Sequence, residues 1–235
     1  MNKGVKMLQK IFILVGFLLL FQPAFASQNL AKENEIQTRI DNVGTKILNM
    51  NKIQKPIVFT YSTESKKKLL STDKTITKRQ IILYNDAYKS IQSDDELAAF
   101  LSREIATATK SYSGVWGGRI DSLQVATSTK KFEIYADKRA VDYMVNAGYN
   151  PLGLITYINK TCPQKRSDFI SKYNLKSKRL AKIYEYITYK YPKYLSNNTY
   201  INNPQYQNFL LHSVENRRLL EDKIKNNGKG ELKYE

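Results

Sequence analysis

Apolar residues recur at helical spacing through most of this chain. One such stripe runs between Ala31 and Met50, and another runs from Leu97 to Ala108. Their members are Ile36, Ile40, Val43, Ile47 and Leu48 in the first, and Leu97, Phe100, Leu101, Ile105 and Ala108 in the second. Residues three and four positions apart share one face of an α-helix. Both segments are therefore predicted to be helices that pack onto a core.

Two short segments have the composition of strands. Pro56 to Tyr61 and Gln80 to Tyr84 are rich in β-branched and aromatic residues, which fit a pleated, half-buried surface. Because helical patterns lie on either side, the expected fold class is α+β, a mainly helical domain with a small β-sheet. The 235 residues, 42% of them hydrophobic, are enough for one domain of ordinary size.

Helix boundaries are marked at several places. Ser93 followed three residues later by Glu96 is a capping-box pattern, so a helix is expected to begin there. A further helix that contains Glu133 is expected to end at Gly148, and Asn150-Pro151 is expected to start the next one.

The first 26 residues have the organisation of a secretory signal. Lysines precede the apolar run Ile11 to Phe21, and Ala24-Phe25-Ala26 provides small residues at a cleavage position. We therefore predict an exported protein, periplasmic or secreted, that is cleaved after Ala26. Retention of the segment as an uncleaved anchor is the alternative.

The remaining chain is predicted to form one folded domain over residues 27–225. The polar residues 226–235 have the composition of a disordered tail. The single cysteine, Cys162, cannot form an internal disulfide, so the fold must depend on its core.

The chain is strongly basic, with a formal net charge of +17 at pH 7. Such a charge attracts anionic partners, for example a membrane surface or a cell-surface polymer. Only Lys66-Lys67-Lys68 forms a run of three, so solvated helix faces are the other interpretation. Nucleic acid is not an expected partner, because the protein is predicted to be exported and contains no nucleic-acid-binding motif.

The segment from Asp94 to Thr107 carries the candidate chemistry. In peptidases with the pattern H-E-x-x-H, two histidines one helical turn apart hold Zn²⁺, and the glutamate between them activates a water. The corresponding residues here are Arg103-Glu104-Ile105-Ala106-Thr107. The glutamate is kept, but arginine retains its proton and cannot bind a metal, and a threonine hydroxyl is a poor ligand.

Several blocks in the same order carry a family resemblance. Residues 94–106 are similar to the E-D-E-L-A-A-V-L-A-H-E-I-A-H helix of the HtpX and CAAX-prenyl-protease type of zinc metallopeptidases, a gluzincin family with small periplasmic members. Residues 133–137 and 147–151 resemble the family's E-x-x-A-D helix and its A-G-Y-D-P ending, and residues 212–217 resemble its H-P-x-x-x-R block. The resemblance implies a zincin-like (minigluzincin) domain.

The resemblance also implies catalytic positions. Glu104 matches the water-activating glutamate, and His212 and Arg217 match a histidine and an arginine that lie beside the substrate. His212 is the only histidine in the chain, so no other imidazole can complete a histidine-based zinc site.

The metal positions of the family fall on residues that are poorly suited to zinc. Arg103, Thr107 and Glu133 match the three zinc ligands, and Asp137 matches a carboxylate that supports a ligand histidine. Zinc is the cofactor of the family, but none is expected here. A guanidinium can replace the lost cationic charge, so we expect Arg103 to form an ion pair with Glu133, Asp137 or both.

These features favour a catalytically inactive pseudopeptidase, a binding or scaffold module that meets a protein or peptide partner in the cell envelope. The family's Gly-rich segment before the active-site helix is also missing, since Lys74 to Tyr84 contains no glycine. Two alternatives remain open. One is an active metalloendopeptidase in which Glu104, Glu133 and His212 bind a metal, and the other is a basic envelope protein that binds anionic surface polymers.

Overall fold

The computed structural model describes residues 30–65, 80–111, 129–162 and 174–234. The predicted signal, the triple-lysine run, most of the segment from Lys74 to Tyr84 and the Gly-containing loop that holds Trp116 lie outside these residues. No helix in the described ranges is both long and apolar enough to span a membrane.

The chain divides into two compact units, residues 1–39 and 40–235. In the first unit, the described residues 30–39 are helical. In the second unit, the described residues are mostly helical and include a small parallel sheet, so the predicted α+β class is confirmed. The elements of the second unit are α1 (40–50), β1 (Val58–Ser62), β2 (Gln80–Tyr84), α2 (Asn85–Ser90), α3 (Asp94–Ser111), α4 (Thr129–Asn146), α5 (Leu152–Thr161), α6 (Lys176–Lys190), α7 (Lys193–Ser196), α8 (Pro204–His212) and α9 (Val214–Lys225).

The two strands pair in parallel, with Val58 opposite Gln80 at one end and Ser62 opposite Tyr84 at the other. Phe59 of β1 is buried and lies against Gly44 of α1. A β-carbon at position 44 would stand only 2.5 Å from the Phe59 ring, so glycine is what lets α1 approach the sheet this closely.

Helix α3 is central to the core and packs against α4 and α5. Its apolar stripe is buried as predicted, and the alanines beside the stripe let the neighbouring helices come close. The first turns of α3 and α5 nearly touch, since a β-carbon at Gly153 would lie 2.7 Å from Cβ of Asp95. Positions 103 and 107 of α3 therefore belong to a buried, closely packed helix.

The start of α3 follows the capping pattern and extends it. The Glu96 amide donates to Ser93 Oγ at 3.2 Å, as predicted. The Glu96 carboxylate accepts a hydrogen bond from the Gln92 amide at 2.7 Å, and it also accepts from Thr156 Oγ1 at 2.9 Å and Lys160 Nζ at 2.6 Å. A residue expected to cap one helix thus also ties that helix to α5.

The end of α4 has the predicted glycine. Gly148 has φ of +77°, its amide donates to the Val145 carbonyl at 3.0 Å, and the Tyr149 amide donates to the Met144 carbonyl at 2.9 Å. This pair of bonds is a Schellman motif. Asn150 then accepts a hydrogen bond from the Leu152 amide at 2.9 Å and starts α5.

Two residues of the C-terminal segment 226–234, for which composition favours disorder, contact the folded domain. Glu231 forms an ion pair with Lys182, and Tyr234 is buried. Residues 226–231 are exposed, so the disordered tail expected from composition stays a prediction.

Candidate functional site

Packing of α3 against α4 brings two of the predicted site residues together. Arg103 Nε donates to Asp137 Oδ1 at 2.6 Å. Both side chains are buried, with 6% of Arg103 and 1% of Asp137 exposed. Asp137 is one of the two partners expected for Arg103, and it makes the direct contact.

Helix α6 contributes a second buried guanidinium. Arg179 Nε donates to Asp137 Oδ2 at 2.9 Å and its Nη2 donates to Asp137 Oδ1 at 2.9 Å, which is a bidentate contact. Arg179 Nη1 lies 3.5 Å from Glu133 Oε1 and donates to Cys162 Sγ at 3.3 Å. Glu133 therefore has its ion pair with Arg179.

Asn174 donates hydrogen bonds to Glu133 and to the backbone of the same helix. The Asn174 amide donates to Glu133 Oε2 at 2.8 Å, and its Nδ2 donates to the same oxygen at 3.0 Å and to the Lys130 carbonyl at 2.7 Å. We refer to Arg103, Glu133, Asp137, Asn174 and Arg179 together as the buried ion cluster.

The charges of the buried ion cluster balance, because two guanidinium groups meet two carboxylates. Burial alone would raise the pKa of Asp137, but the charges of Arg179 and Arg103 and their hydrogen bonds outweigh it and hold this pKa below its usual value. The Asp137 carboxylate in turn raises the pKa of Arg179 despite the burial of that side chain. Asp137 and Arg179 thus each favour the charged form of the other, although both are buried.

Glu104 lies in the same region of α3 and is also buried, with 2% of the residue exposed. Burial raises the pKa of the Tyr157 hydroxyl on α5; the charge of Arg103 opposes this, whereas the charge of Glu104 adds to it. Tyr157, Arg103 and Glu104 therefore lie within electrostatic reach of each other. Thr107 is buried as well, and its hydroxyl donates to the Arg103 carbonyl at 2.9 Å.

The side chains present do not fit the zinc ion that the resemblance implies. Arg103 brings a fixed positive charge to the position that the resemblance assigns to the first ligand, and the oxygens of Glu133 already face Arg179 and Asn174. In the described ranges, no group of three or more histidine, cysteine, aspartate or glutamate side chains is arranged to hold a metal ion. The donor set at positions 103, 107 and 133 thus suits a salt bridge better than a metal.

His212 and Arg217 lie at the junction of α8 and α9. Arg217 Nε donates to Ser213 Oγ at 3.2 Å and its Nη2 donates to the Leu210 carbonyl at 3.0 Å. These hydrogen bonds connect the start of α9 to the end of α8. His212 is exposed and lines a cavity of about 490 Å³ between α5, α6 and α8. The hydrogen bonds described for Arg217 do not reach the buried ion cluster.

Arg179 and Asn174 were not anticipated from the sequence. A signal for Arg179 was present, because it stands four residues before Ile183 and eight before Ile187 on the apolar face of α6. An arginine within such a stripe needs a buried anionic partner.

A scan against models of protein families, a search of characterised proteins and a search of solved structures each found no match to this chain.

Proposed function

We propose that this protein is an exported pseudopeptidase. In this proposal it retains a zincin-like scaffold of the HtpX type, has lost its zinc ligands, and serves as a binding or scaffold module for a protein or peptide partner in the cell envelope. The observation that carries the proposal is the pairing of Glu133 and Asp137 with two buried guanidinium groups, from Arg103 and Arg179.

The charge balance of the cluster supports the proposal. By the resemblance, Glu133 stands where a zinc ligand would be and Asp137 where a carboxylate would support a ligand histidine. These carboxylates need positive charge nearby to remain ionised in a buried site. Two arginines provide it, so the scaffold can stay folded in the absence of a metal.

The position of Glu104 also supports loss of catalysis. A glutamate can activate a water for amide hydrolysis when a metal lowers the pKa of that water and polarises the carbonyl. Arg103 and Thr107 cannot hold such a metal, and Glu104 is closed off from bulk solvent. Glu104 acting alone would leave most of the barrier to hydrolysis in place.

The alternative of an active enzyme with an altered metal site requires Glu133 as a ligand. Glu133 would have to give up its contacts with Arg179 at 3.5 Å and with the Asn174 amide at 2.8 Å. The metal would also lie near the guanidinium of Arg103, which repels a cation. The contacts of the buried ion cluster therefore favour the inactive protein.

Proteolysis assays test the proposal. We expect the purified protein and a Glu104→Gln variant, prepared in parallel, to show the same background cleavage of unfolded casein and of a quenched peptide library, with no response to a chelator. Cleavage that is removed by chelation and restored by added metal, and that is absent in Glu104→Gln, would show an active peptidase.

A further inference from the structure

The cavity beside His212 has a lining that combines positive charge with an apolar wall. It lies between α5, α6 and α8, has a volume of about 490 Å³, and is partly open. Lys176 and His212 line it together with the polar residues Ser177 and Asn208. None of the described residues that line it is acidic.

Lys176 is positioned to bind an anion there. Its ammonium group donates to the Asn159 carbonyl at 3.2 Å, which uses one of three N–H donors. Among the described residues it forms no salt bridge. It is also the first residue of α6, whose first turn contains no acidic side chain and no capping side-chain hydrogen bond. The partial positive charge at the N-terminus of the helix therefore adds to the charge of the Lys176 ammonium.

The cavity lining also includes an apolar wall formed by two side chains. Leu180 lies one helical turn after Lys176 on α6, and Phe209 lies on α8 one turn before the exposed His212. Both apolar residues are buried, with 4% and 2% exposed. A ligand that places an apolar group on this wall gains the free energy of removing that group from water.

We propose that this cavity binds a small organic carboxylate that carries an apolar group. The carboxylate accepts hydrogen bonds from the Lys176 ammonium and lies beside the His212 imidazole, and the apolar group packs on Leu180 and Phe209. A single ammonium in the lining matches a monoanion better than a phosphate dianion. The inference does not depend on the proposed loss of peptidase activity, because no residue of the buried ion cluster lines the cavity.

Isothermal titration of the full-length protein with N-acetyl-leucine and with N-acetyl-leucinamide tests the inference. The two compounds have the same apolar side chain and differ in the carboxylate. We expect saturable binding of the acid in the millimolar range, which is usual for so small a ligand, and much weaker binding of the amide. Inorganic phosphate is titrated separately and is expected to bind more weakly than the acid.

Two lysine variants locate the site. Lys176→Gln is expected to weaken binding of the acid by roughly tenfold, since it removes one charge-assisted hydrogen bond. Lys178→Gln removes the same charge two positions further along α6 and is expected to leave the affinity within about twofold. Circular dichroism and thermal melting establish that both variants fold.

Three results with the acid, the amide and the lysine variants would overturn the inference. They are equal affinities for the acid and the amide, equal losses in the two lysine variants, and absence of acid binding up to its solubility limit. Tighter binding of phosphate than of the acid would also contradict the inference, because the cavity would then be a site for simple anions and not for an organic carboxylate.

Discussion

Replacement of Arg179 by methionine is expected to destabilise the folded protein by about 3–5 kcal/mol, which is the usual cost of breaking a buried ion pair by removing one partner. Methionine has a similar length and a similar helix propensity, so the loss reflects the missing charge. Asp137 would keep Arg103, but Glu133 would lose its guanidinium partner while remaining buried. Urea unfolding followed by circular dichroism measures the change in the free energy of unfolding.

Arg139→Met is the matched control for this experiment. Arg139 is on α4, its side chain is 45% exposed, and its Nη1 lies 3.8 Å from Asp142. Only the arginine of this pair is exposed, but Asp142 keeps Lys190 Nζ at 2.8 Å, so we expect the loss of Arg139 to cost less than about 1 kcal/mol. Similar losses in the two variants would mean that Arg179 lacks the buried, bridging role described above.

The triple variant Arg103→His, Thr107→His and Arg179→Met is expected to bind zinc. The two histidines would stand one turn apart on α3, and if the family resemblance holds they would face Glu133 on α4, which is the three-ligand arrangement of a zinc site with one open position. Removal of Arg179 leaves Asn174 to orient the Glu133 carboxylate, and Asp137 becomes free to accept the N–H of a ligand histidine. Zinc bound only to the folded state would stabilise it by about 2.7 kcal/mol at a hundred times its dissociation constant.

Zinc stoichiometry and the zinc-dependent shift in melting temperature measure this result. Addition of Glu133→Gln to the triple variant is expected to remove most of both signals, because an amide is a much weaker zinc ligand than a carboxylate. A folded triple variant that does not bind zinc would show that α3 and α4 lack the ligand geometry of the metallopeptidases. The role of zinc ligand that the resemblance assigns to position 133 would then be wrong.

The local features of the fold could be predicted from the sequence. The stripe from Leu97 to Ala108, the hydrogen bond at Ser93 and the glycine at position 148 all depend on residues within a few positions of each other. Local periodicity and local hydrogen bonding determine such features. The two strands were also found from composition, but their parallel pairing depends on the path of the chain between them.

The buried ion cluster could be predicted only in part. Arg103 was expected to meet an acidic residue of α4, because the two helices were inferred to face each other from the resemblance. Asn174 and Arg179 reach the same carboxylates from more than 40 residues further along the chain. Their contribution comes from the packing of α6, and of Asn174 just before it, on α4, which no local pattern specifies.

Titration of Zn²⁺ into the metal-stripped wild-type protein at neutral pH tests the central claim most directly. If Arg103 and Arg179 provide the charge that a metal would otherwise supply, we expect no stoichiometric tight binding and no rise in melting temperature. One tight zinc site per chain, lost in Glu133→Gln and unaffected in Glu231→Gln, would contradict the account.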